Sequence, residues 1–418
     1  MSMKLSMSAV GVLAVAAGSA WADGFRNPPE GAAALGKAGV SSVFVEDASA
    51  LSHNSARLAE IEQAQLQVSL TLASSHTEFD SPVLGSAETK SSLALLPNVY
   101  YATPLGDQGW VGAIGLTTPY GQSTEWKKNG AFHYTAPYFA EMALVDIAPT
   151  FARTFERLSV GVGLDLYAAT LTLRQRLPVV AALTLPAGVP LPPDPVLDLE
   201  GDAAALGGHV GLSYQACDYA TLGLSWRSGF SLDFEGDTKL KDWPGALPPT
   251  LAARSDFETT SEFPNIVALG CGLKLSDTLQ VELQVEWLEH SAYEELTLDL
   301  GPNNALLQQP TIPQDWEDTW TYGVGADWTY AAGRVLRAGY SFVESPIPDR
   351  TFAPTVPDSD RHVLALGWGR QACGGWLDLA YAYSLLDDRD ITNNQNPAFN
   401  GSYEFEPHLL AVSYRRDF

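Results

Sequence analysis

Cysteine and basic residues are scarce in this sequence of 418 residues. Its three cysteines, Cys217, Cys271 and Cys373, lie too far apart for a disulfide-rich scaffold or a clustered zinc site, and we expect free thiols. Lysine and arginine number 24 against 49 aspartate and glutamate residues, which gives a formal net charge of −25. A chain this acidic is not expected to bind nucleic acid.

Long hydrophobic runs are also missing. Beyond residue 22, no segment approaches the roughly 18 consecutive apolar residues that a transmembrane helix needs. Residues 1–22 have the features of a signal peptide, because Lys4 precedes the apolar residues 9–17 and the small-residue site Ala20-Trp21-Ala22 precedes Asp23. We therefore expect an exported chain whose mature form begins at Asp23.

Motifs of enzymes and cofactor sites are absent from the sequence. It contains no Gly-x-Ser-x-Gly motif, no phosphate-binding P-loop and no spacing typical of metal ligands. Its seven histidines form no recognisable pattern with a nucleophile. We predict no catalytic residue, no metal and no cofactor; a lipase-like enzyme and a polar porin are the alternatives from other functional classes.

The sequence is rich in segments that alternate apolar and polar residues. Residues 65–72 place leucine and valine on one face and glutamine, serine and threonine on the other, and residues 279–287 and 319–330 alternate in the same way. A period of two predicts β-strands with one apolar and one polar face. A soluble β-sandwich would alternate as well, so a second observation is needed.

Strand ends and connection lengths supply that observation. Aromatic residues such as Trp320 with Tyr330, and Tyr381 with Tyr383, end the apolar faces, as in the girdles of outer-membrane barrels. Six short connections alternate with seven long ones, so we predict an all-β fold, a 14-stranded antiparallel transmembrane β-barrel. The short connections are at residues 105–108, 155–157, 217–219, 276–277, 331–333 and 372–374, and the long ones are near 80–90, 122–137, 175–201, 235–261, 290–315, 345–360 and 387–401.

The third predicted strand contains residues that weaken a β-ladder. Residues 109–126 read GWVGAIGLTTPYGQSTEW, so Pro119 and Gly121 arrive where pairing should continue. Proline cannot donate a ladder hydrogen bond, and glycine weakens pairing. The sequence predicts an interruption here, with a simple bulge or an early strand end as the alternatives.

Residues 23–62 do not alternate. They are small and compatible with short helices, for which Asp47 and Ser49 are candidate caps. Side chains alone cannot fill the lumen of a 14-stranded barrel. We therefore predict that residues 23–62 form a plug with short helices inside a barrel of residues 63–418, and a mobile tail is the alternative.

Two kinds of residue are candidates for ligand binding. Arg227 and Arg337 fall on polar faces and should face the lumen, where an arginine either pairs with an acidic side chain or holds a carboxylate headgroup. Two predicted loops are unusually apolar, which is a signal of a binding surface. The first includes Leu177, Val180, Leu183 and Leu185, and the second includes Trp243 and Leu247.

Several segments resemble the FadL family of outer-membrane transporters for long-chain fatty acids and other hydrophobic compounds. The resemblance covers essentially the whole mature chain, and its most specific stretch is SPIPDRT at residues 345–351, followed by residues 357–361. Family members usually have Asn-Pro-Ala where this chain has Asn54-Ser55-Ala56. The other similar segments are Gly24-Phe25, residues 36–39 and 47–50, Leu96-Pro97-Asn98, Pro119-Tyr120-Gly121, and residues 124–126, 226–228 and 233–236.

The resemblance implies roles for specific residues. It implies a plug to which Asp47, Asn54, Ser55 and Ala56 belong, and an uptake groove formed by the two apolar loops. It also implies an inward kink that opens the third strand sideways to the membrane. The kink would involve Thr118, Pro119, Tyr120 and Gly121, and Phe25, in the matched N-terminal stretch, joins the candidate ligand-binding residues.

The function that follows from the resemblance is passive uptake through the outer membrane of a Gram-negative bacterium. Long-chain fatty acids or similar hydrophobic compounds would be captured at the loops and released sideways into outer-membrane lipid. Neutral aromatic hydrocarbons or alkanes are the alternative, because residues 167–171 lack the basic residue that some fatty-acid transporters carry on that strand. We also expect Phe418, a terminal aromatic with Tyr414, Val412 and Leu410 in phase, to contact the barrel-assembly machinery.

Overall fold

The computed structural model describes residues 24–128, 130–178, 192–244, 252–301 and 311–418. The predicted signal peptide, residues 1–22, lies outside the described residues. The alternating segments form a closed antiparallel β-barrel of 14 strands, which confirms the predicted fold class. The strands are β1 (Gln65–Ser75), β2 (Ser92–Leu105), β3 (Trp110–Thr117 and Gly121–Glu125), β4 (Phe139–Phe155), β5 (Leu158–Arg176), β6 (Val196–Cys217), β7 (Ala220–Arg227 and Phe230–Lys241), β8 (Arg254–Phe263 and Ile266–Lys274), β9 (Leu279–Leu288), β10 (Thr319–Ala331), β11 (Arg334–Val343), β12 (Arg361–Ala372), β13 (Gly375–Leu386) and β14 (His408–Asp417).

Strand β1 closes the barrel because it pairs with both ends of the sheet. Gln65 lies opposite Ala102 of β2 and opposite Asp417 of β14. Each other strand pairs with its neighbours in sequence, and the six short connections lie where the sequence predicts them. Cys217, Cys271 and Cys373 are free thiols.

The barrel wall is apolar outside and polar inside, the reverse of a soluble protein. On β1, Leu66 and Val68 are 40% and 49% exposed, whereas Gln67 and Ser69 are 2% and 1% exposed. Leucine and valine rows on the outer surface are stable in lipid, and the polar residues between them face the lumen. The alternation in the sequence therefore indicates which side of the wall faces the membrane.

This polarity reverses along β7 and β8. Below the gap between the two parts of β7, Leu222 and Trp226 are exposed on the outside, and above it Phe230 and Phe234 are buried inside. The two residues of the gap shift the phase of the alternation. We infer that β7 and β8 leave the lipid at this level, because their outer faces above it are polar and their apolar faces line the interior.

Residues 24–62, here called the plug segment, carry the helices Ala32–Leu35 and Ala50–His53 and the 3₁₀ helix Ser55–Glu60. Ser49 occupies the N-cap position of the second helix, but its side chain makes no capping hydrogen bond. Asp47 Oδ1 instead accepts a hydrogen bond from Ser49 N at 2.9 Å. No helix in the described ranges is both long and apolar enough to cross a membrane.

A second, smaller sheet lies at the long-loop end of the barrel. Its four strands are Thr77–Ser81, Gly85–Glu88, Arg389–Ile391 and Gly401–Phe405, so the first and last long loops are paired. The ring of Phe79 packs against Phe132 and Tyr403, with ring centroids 4.5 and 4.7 Å apart. Short 3₁₀ helices at Gly106–Gln108, His290–Ala292 and Pro397–Phe399, and the strand pair Glu295–Leu296 and Ile312–Pro313, complete the described elements.

Candidate functional site

The third strand is interrupted at residues 118–120, as the sequence predicts. On the β4 side, Thr117 lies opposite Asp146 and Gly121 lies opposite Ala143. Three residues of β3 therefore face two residues of β4, which is the geometry of a bulge. Gly121 is already paired again, so it lies at the upper edge of the interruption.

The interruption is longer on the β2 side. The ladder between β2 and β3 ends at the pair Val99 and Leu116. Backbone contact returns at the top of the strand, where Lys90 N donates to Glu125 O at 2.7 Å. Between these points, residues 117–124 of β3 have no ladder partner on β2 within the described part of the chain.

The start of the plug segment covers this interruption from inside the barrel. Residues 24–30, here called the N-terminal arm, run antiparallel to β3 at the break. Asn27 N donates to Pro119 O, and Gly121 N donates to Phe25 O, both at 2.9 Å. The arm thus takes over backbone hydrogen bonds that β2 would otherwise make.

Two further contacts hold the arm. Arg26 forms a β-bridge with Tyr120, and its guanidinium makes an ion pair with Glu286 of β9. At the tip of the arm, Gly24 N donates to Asp358 Oδ2 at 3.3 Å. The arm is therefore held against β3 and the barrel interior by non-covalent contacts alone.

An aromatic cluster lies beside the arm and the break. Phe230 is stacked between Tyr167 and Phe263, with ring centroids 3.9 and 4.5 Å away. Tyr120 meets Phe263 edge to face at 5.0 Å, and Phe25 lies 5.8 Å from the same ring. We call these five residues the aromatic chamber; it exists because β7 and β8 turn their apolar faces inward at this level.

A cavity of about 130 Å³ lies between the arm, the plug segment and the barrel wall. It reaches from Pro119 and Tyr120 at the break to Val363 of β12 and Leu409 of β14. An apolar cavity of about 150 Å³ is large enough to hold benzene. The lining here is mixed and includes Arg227 among its polar members.

The two predicted lumenal arginines both face inward, and each is already paired with two carboxylates. Arg227 Nη1 lies 2.8 Å from Asp165 Oδ1 and 3.2 Å from Asp146 Oδ2. Arg337 lies 2.8 Å from Asp327 and 2.5 Å from Asp378. Arg227 is close to the aromatic chamber, whereas Arg337 lies towards the short-turn end and lines a second cavity beneath the plug segment.

Sequence reasoning missed a hydroxyl–imidazole–carboxylate chain next to Arg227. Thr150 Oγ1 is 3.1 Å from His209 Nε2, and His209 Nδ1 is 2.9 Å from Asp165 Oδ1. The Thr150 side chain does not line the cavity and the residue is only 1% exposed, which leaves no path for a substrate carbonyl. The three residues form part of a buried polar network with Arg227.

The predicted uptake loops are described only in part. Val180, Leu183, Leu185 and Leu247 lie outside the described residues. Leu177 packs against a buried cluster in which Leu197, Leu199, Phe257, Leu298 and Leu300 meet, and Trp243 is half-buried. Their proposed role in capture stays a prediction.

The plug segment is bound to the wall through Asn54-Ser55-Ala56. Asn54 Nδ2 donates to Ser42 O at 2.8 Å and to Leu212 O at 3.0 Å, and Asn54 Oδ1 accepts from Ala56 N at 3.1 Å. Asn54 therefore joins two parts of the plug segment to β6. The hydrogen bonds of the Asn54 side chain restrain this segment, in which Ser55 occupies the position of the proline in the Asn-Pro-Ala motif of the family.

Strand β9 supplies plug contacts that sequence reasoning did not single out. Glu282 accepts hydrogen bonds from Val43 N at 2.7 Å and Phe44 N at 3.0 Å. Gln284 Oε1 accepts from the backbone nitrogens of residues 41 and 42 at 3.0 and 3.1 Å. These residues and Glu286 belong to the polar face of residues 279–287. The alternation predicted that this face is polar, but it did not indicate that the plug segment binds to it.

Glycines of the wall let the plug segment approach at backbone distance. A Cβ built on Gly161 of β5 would lie 2.3 Å from Ser55 C, closer than any side chain allows. We expect Gly161→Ala to lower the free energy of unfolding by about 1–3 kcal/mol, because the new methyl forces the plug segment away from the wall. Denaturant unfolding in detergent measures this change.

The matched control is Gly208→Ala on β6. There the nearest atom to an added Cβ is Gly163 O at 3.3 Å, so a small shift is enough to accommodate it. Equal unfolding free energies for the two alanine variants would contradict the close packing of Ser55 on β5.

Comparison with known proteins agrees with this architecture. Residues 13–418 match the family described as outer membrane protein transport protein (OMPP1/FadL/TodX). The long-chain fatty acid transport protein of Escherichia coli O6:H1 is 22% identical over 403 residues, which cover 89% of this chain and 86% of that protein.

Solved structures share the fold. A Pseudomonas aeruginosa FadL homologue superposes with a TM-score of 0.80 at 22% identity, covering 94% of this chain and 100% of that one. The P. putida toluene transporter TodX gives a TM-score of 0.73 at 19% identity, with 94% and 99% covered. The protein lies in the outer membrane, as the barrel, its lipid-facing outer surface and the family match over nearly the whole chain together show. The chain belongs to the OMPP1/FadL/TodX family of outer membrane transport proteins.

Proposed function

We propose that this member of the family takes up neutral hydrophobic compounds and releases them sideways through the interruption between β2 and β3. The observation that carries the proposal is the stretch of β3 without a ladder partner on β2, which lies next to the aromatic chamber and is covered by the N-terminal arm. An unpaired strand edge is costly in lipid. A wall built only for stability would be paired throughout.

The route towards the periplasm is unfavourable for an apolar molecule. The second cavity, on the short-turn side of the plug segment, is lined by Lys37, Asp327, Arg337, Asp378 and Arg415, among other residues. A hydrocarbon makes no hydrogen bond that would compensate the charged groups for lost water. Moving from the cavity past the rings of the aromatic chamber into lipid brings the molecule into apolar surroundings.

Release through the side requires the N-terminal arm to move. The arm holds the break with backbone hydrogen bonds at Pro119 and Gly121 and with the ion pair between Arg26 and Glu286. Thr118, Pro119, Tyr120 and Gly121 are therefore the proposed gate, and Phe25 is the arm residue whose ring enters the aromatic chamber. Capture from outside is assigned to the two apolar loops.

The contacts favour neutral aromatic-sized ligands over carboxylates. Tyr120 of the aromatic chamber lines the cavity at the break, and Arg227 and Arg337 each already face two aspartates. Long-chain fatty acids are the second candidate, since the E. coli relative is named for them. The P. putida structure is named for toluene.

Two further partners complete the proposal. Outer-membrane lipid receives the released compound. Phe418, which is 66% exposed and whose backbone nitrogen donates to Ala64 O at 2.9 Å, is the proposed contact for the barrel-assembly machinery.

The test compares uptake of two labelled compounds by cells that lack their own hydrophobic-compound channel. With this protein in the outer membrane, we expect a monoaromatic hydrocarbon at low concentration to enter several times faster than in cells carrying the empty vector. We expect a long-chain fatty acid to enter no faster than in those control cells. Faster uptake of the fatty acid alone would overturn the substrate class, and no gain for either compound would overturn transport.

A further inference from the structure

Three glutamates lie side by side on the outer face of the small extracellular sheet. Glu78 is directly opposite Glu88 on one neighbouring strand and directly opposite Glu404 on the other. Like charges in directly opposite positions destabilise a sheet. A positive charge from outside these three strands would stabilise the row of glutamates.

The protein supplies only part of that charge. Lys127 makes an ion pair with Glu88. Neither Glu78 nor Glu404 lies within ion-pair distance of a lysine or arginine among the residues that the structure describes. The three carboxylates and the one ammonium sum to a formal charge of −2, which one divalent cation balances.

A histidine completes a set of metal-ligating atoms. His76 Nε2 lies 3.3 Å from Glu78 Oε1 and 3.7 Å from Glu88 Oε2, and all three donor atoms lie within 4.8 Å of one another. Ligands bound at about 2.1 Å to one metal ion are about 3.0–3.4 Å apart. Small rotations of these half-exposed side chains therefore bring the three atoms to one ion.

We propose that His76, Glu78 and Glu88 bind one divalent transition-metal ion of the zinc type on the cell surface, with water completing its coordination. One imidazole nitrogen with two carboxylate oxygens suits zinc, whereas calcium and magnesium prefer oxygen ligands alone. The ion ties together the two strands of the first long loop. This site is independent of the transport route, because it lies on the outer face of the sheet.

The sequence carried a signal for this site. Glu78 lies on the strand Thr77–Ser81 and His76 is the residue just before it, and a tight hairpin returns Glu88 beside them. The spacing resembles no common zinc motif, and only the hairpin register makes the three residues neighbours.

Calorimetric titration of the full-length, untagged protein in detergent with zinc chloride near neutral pH tests the proposal. We expect one zinc ion per chain, and we expect His76→Ala and Glu78→Gln each to weaken binding at least about tenfold. The Glu78→Gln variant is isosteric and exposed, so it keeps the fold. Heat-dependent mobility in detergent gels verifies folding of both variants.

His133→Ala is the matched control. His133 Nε2 faces one carboxylate, that of Asp194 at 3.1 Å, and so offers a pair of ligands in place of three. Zinc affinity should be unchanged in this variant. Unchanged zinc affinity in His76→Ala, or equal losses in His76→Ala and His133→Ala, would overturn the proposal.

Discussion

Deletion of Pro119 should abolish uptake while leaving capture at the cell surface intact. Three residues of β3 face two of β4 at the break, so removing one restores equal lengths between the pairs Thr117 with Asp146 and Gly121 with Ala143. The ladder to β2 can then continue past Val99, and the side of the barrel closes. We expect the rate of uptake to fall at least about tenfold, since a compound in the cavity beside the break then has no path into lipid.

Binding of a fluorescent apolar probe to whole cells measures capture separately from uptake. Pro119→Ala is the matched control, because it keeps the extra residue and should retain most of the uptake. If the deletion variant is folded and still transports at the rate of the unaltered protein, lateral release is wrong. The uptake comparison of two compounds would stand, because it does not depend on the exit route.

Replacing Lys37 with methionine should loosen the plug segment and raise the ion conductance of the barrel. Lys37 is 2% exposed; its ammonium donates to Phe44 O at 2.8 Å and lies 3.1 Å from Asp327 and 3.7 Å from Glu282. Without this ammonium, Glu282 loses its counter-charge and Asp327 keeps only its ion pair with Arg337. Removing one partner of a buried ion pair costs about 3–5 kcal/mol.

Glu282 also holds the backbone of Val43 and Phe44, so its repulsion from Asp327 acts directly on the plug segment. Conductance across planar lipid bilayers measures the effect. The matched control is Lys90→Met, which removes a lysine whose ion pair with Glu125 lies at the surface. Such pairs contribute about 0–1 kcal/mol, so conductance should not change. Equal conductance for both variants would show that Lys37 does not hold the plug segment.

The sequence alone predicted the barrel because each strand alternates residues that face lipid with residues that face the polar lumen. Leu66 and Val68 alternate with Gln67 and Ser69, and the six tight connections leave little freedom in how the strands follow one another. Neighbouring strands then pair in order, and local chemistry is enough to fix the strand number. The weakness of the third strand was equally local, since it follows from Pro119 lacking a backbone N–H.

Long-range contacts, in contrast, left no local signal. The polar faces of β5, β9 and β10 gave no indication that Asp165 would pair with Arg227, Glu282 with the plug backbone, or Asp327 with both Lys37 and Arg337. In β7, the two residues between Arg227 and Phe230 shift the alternation so that the apolar side chains turn inward. The aromatic chamber forms only because β8 makes the same shift between Phe263 and Ile266.

The sequence by itself therefore determined the strand count, the side of the wall that faces lipid and the strand that is interrupted, because each of these depends on residues close together in the chain. Tertiary structure decided what lies against the interruption, which charges neutralise the lumenal arginines and which residues hold the plug segment. Those outcomes depend on groups far apart in sequence, such as Arg26 and Glu286, that become neighbours only when the barrel closes around its own N-terminus.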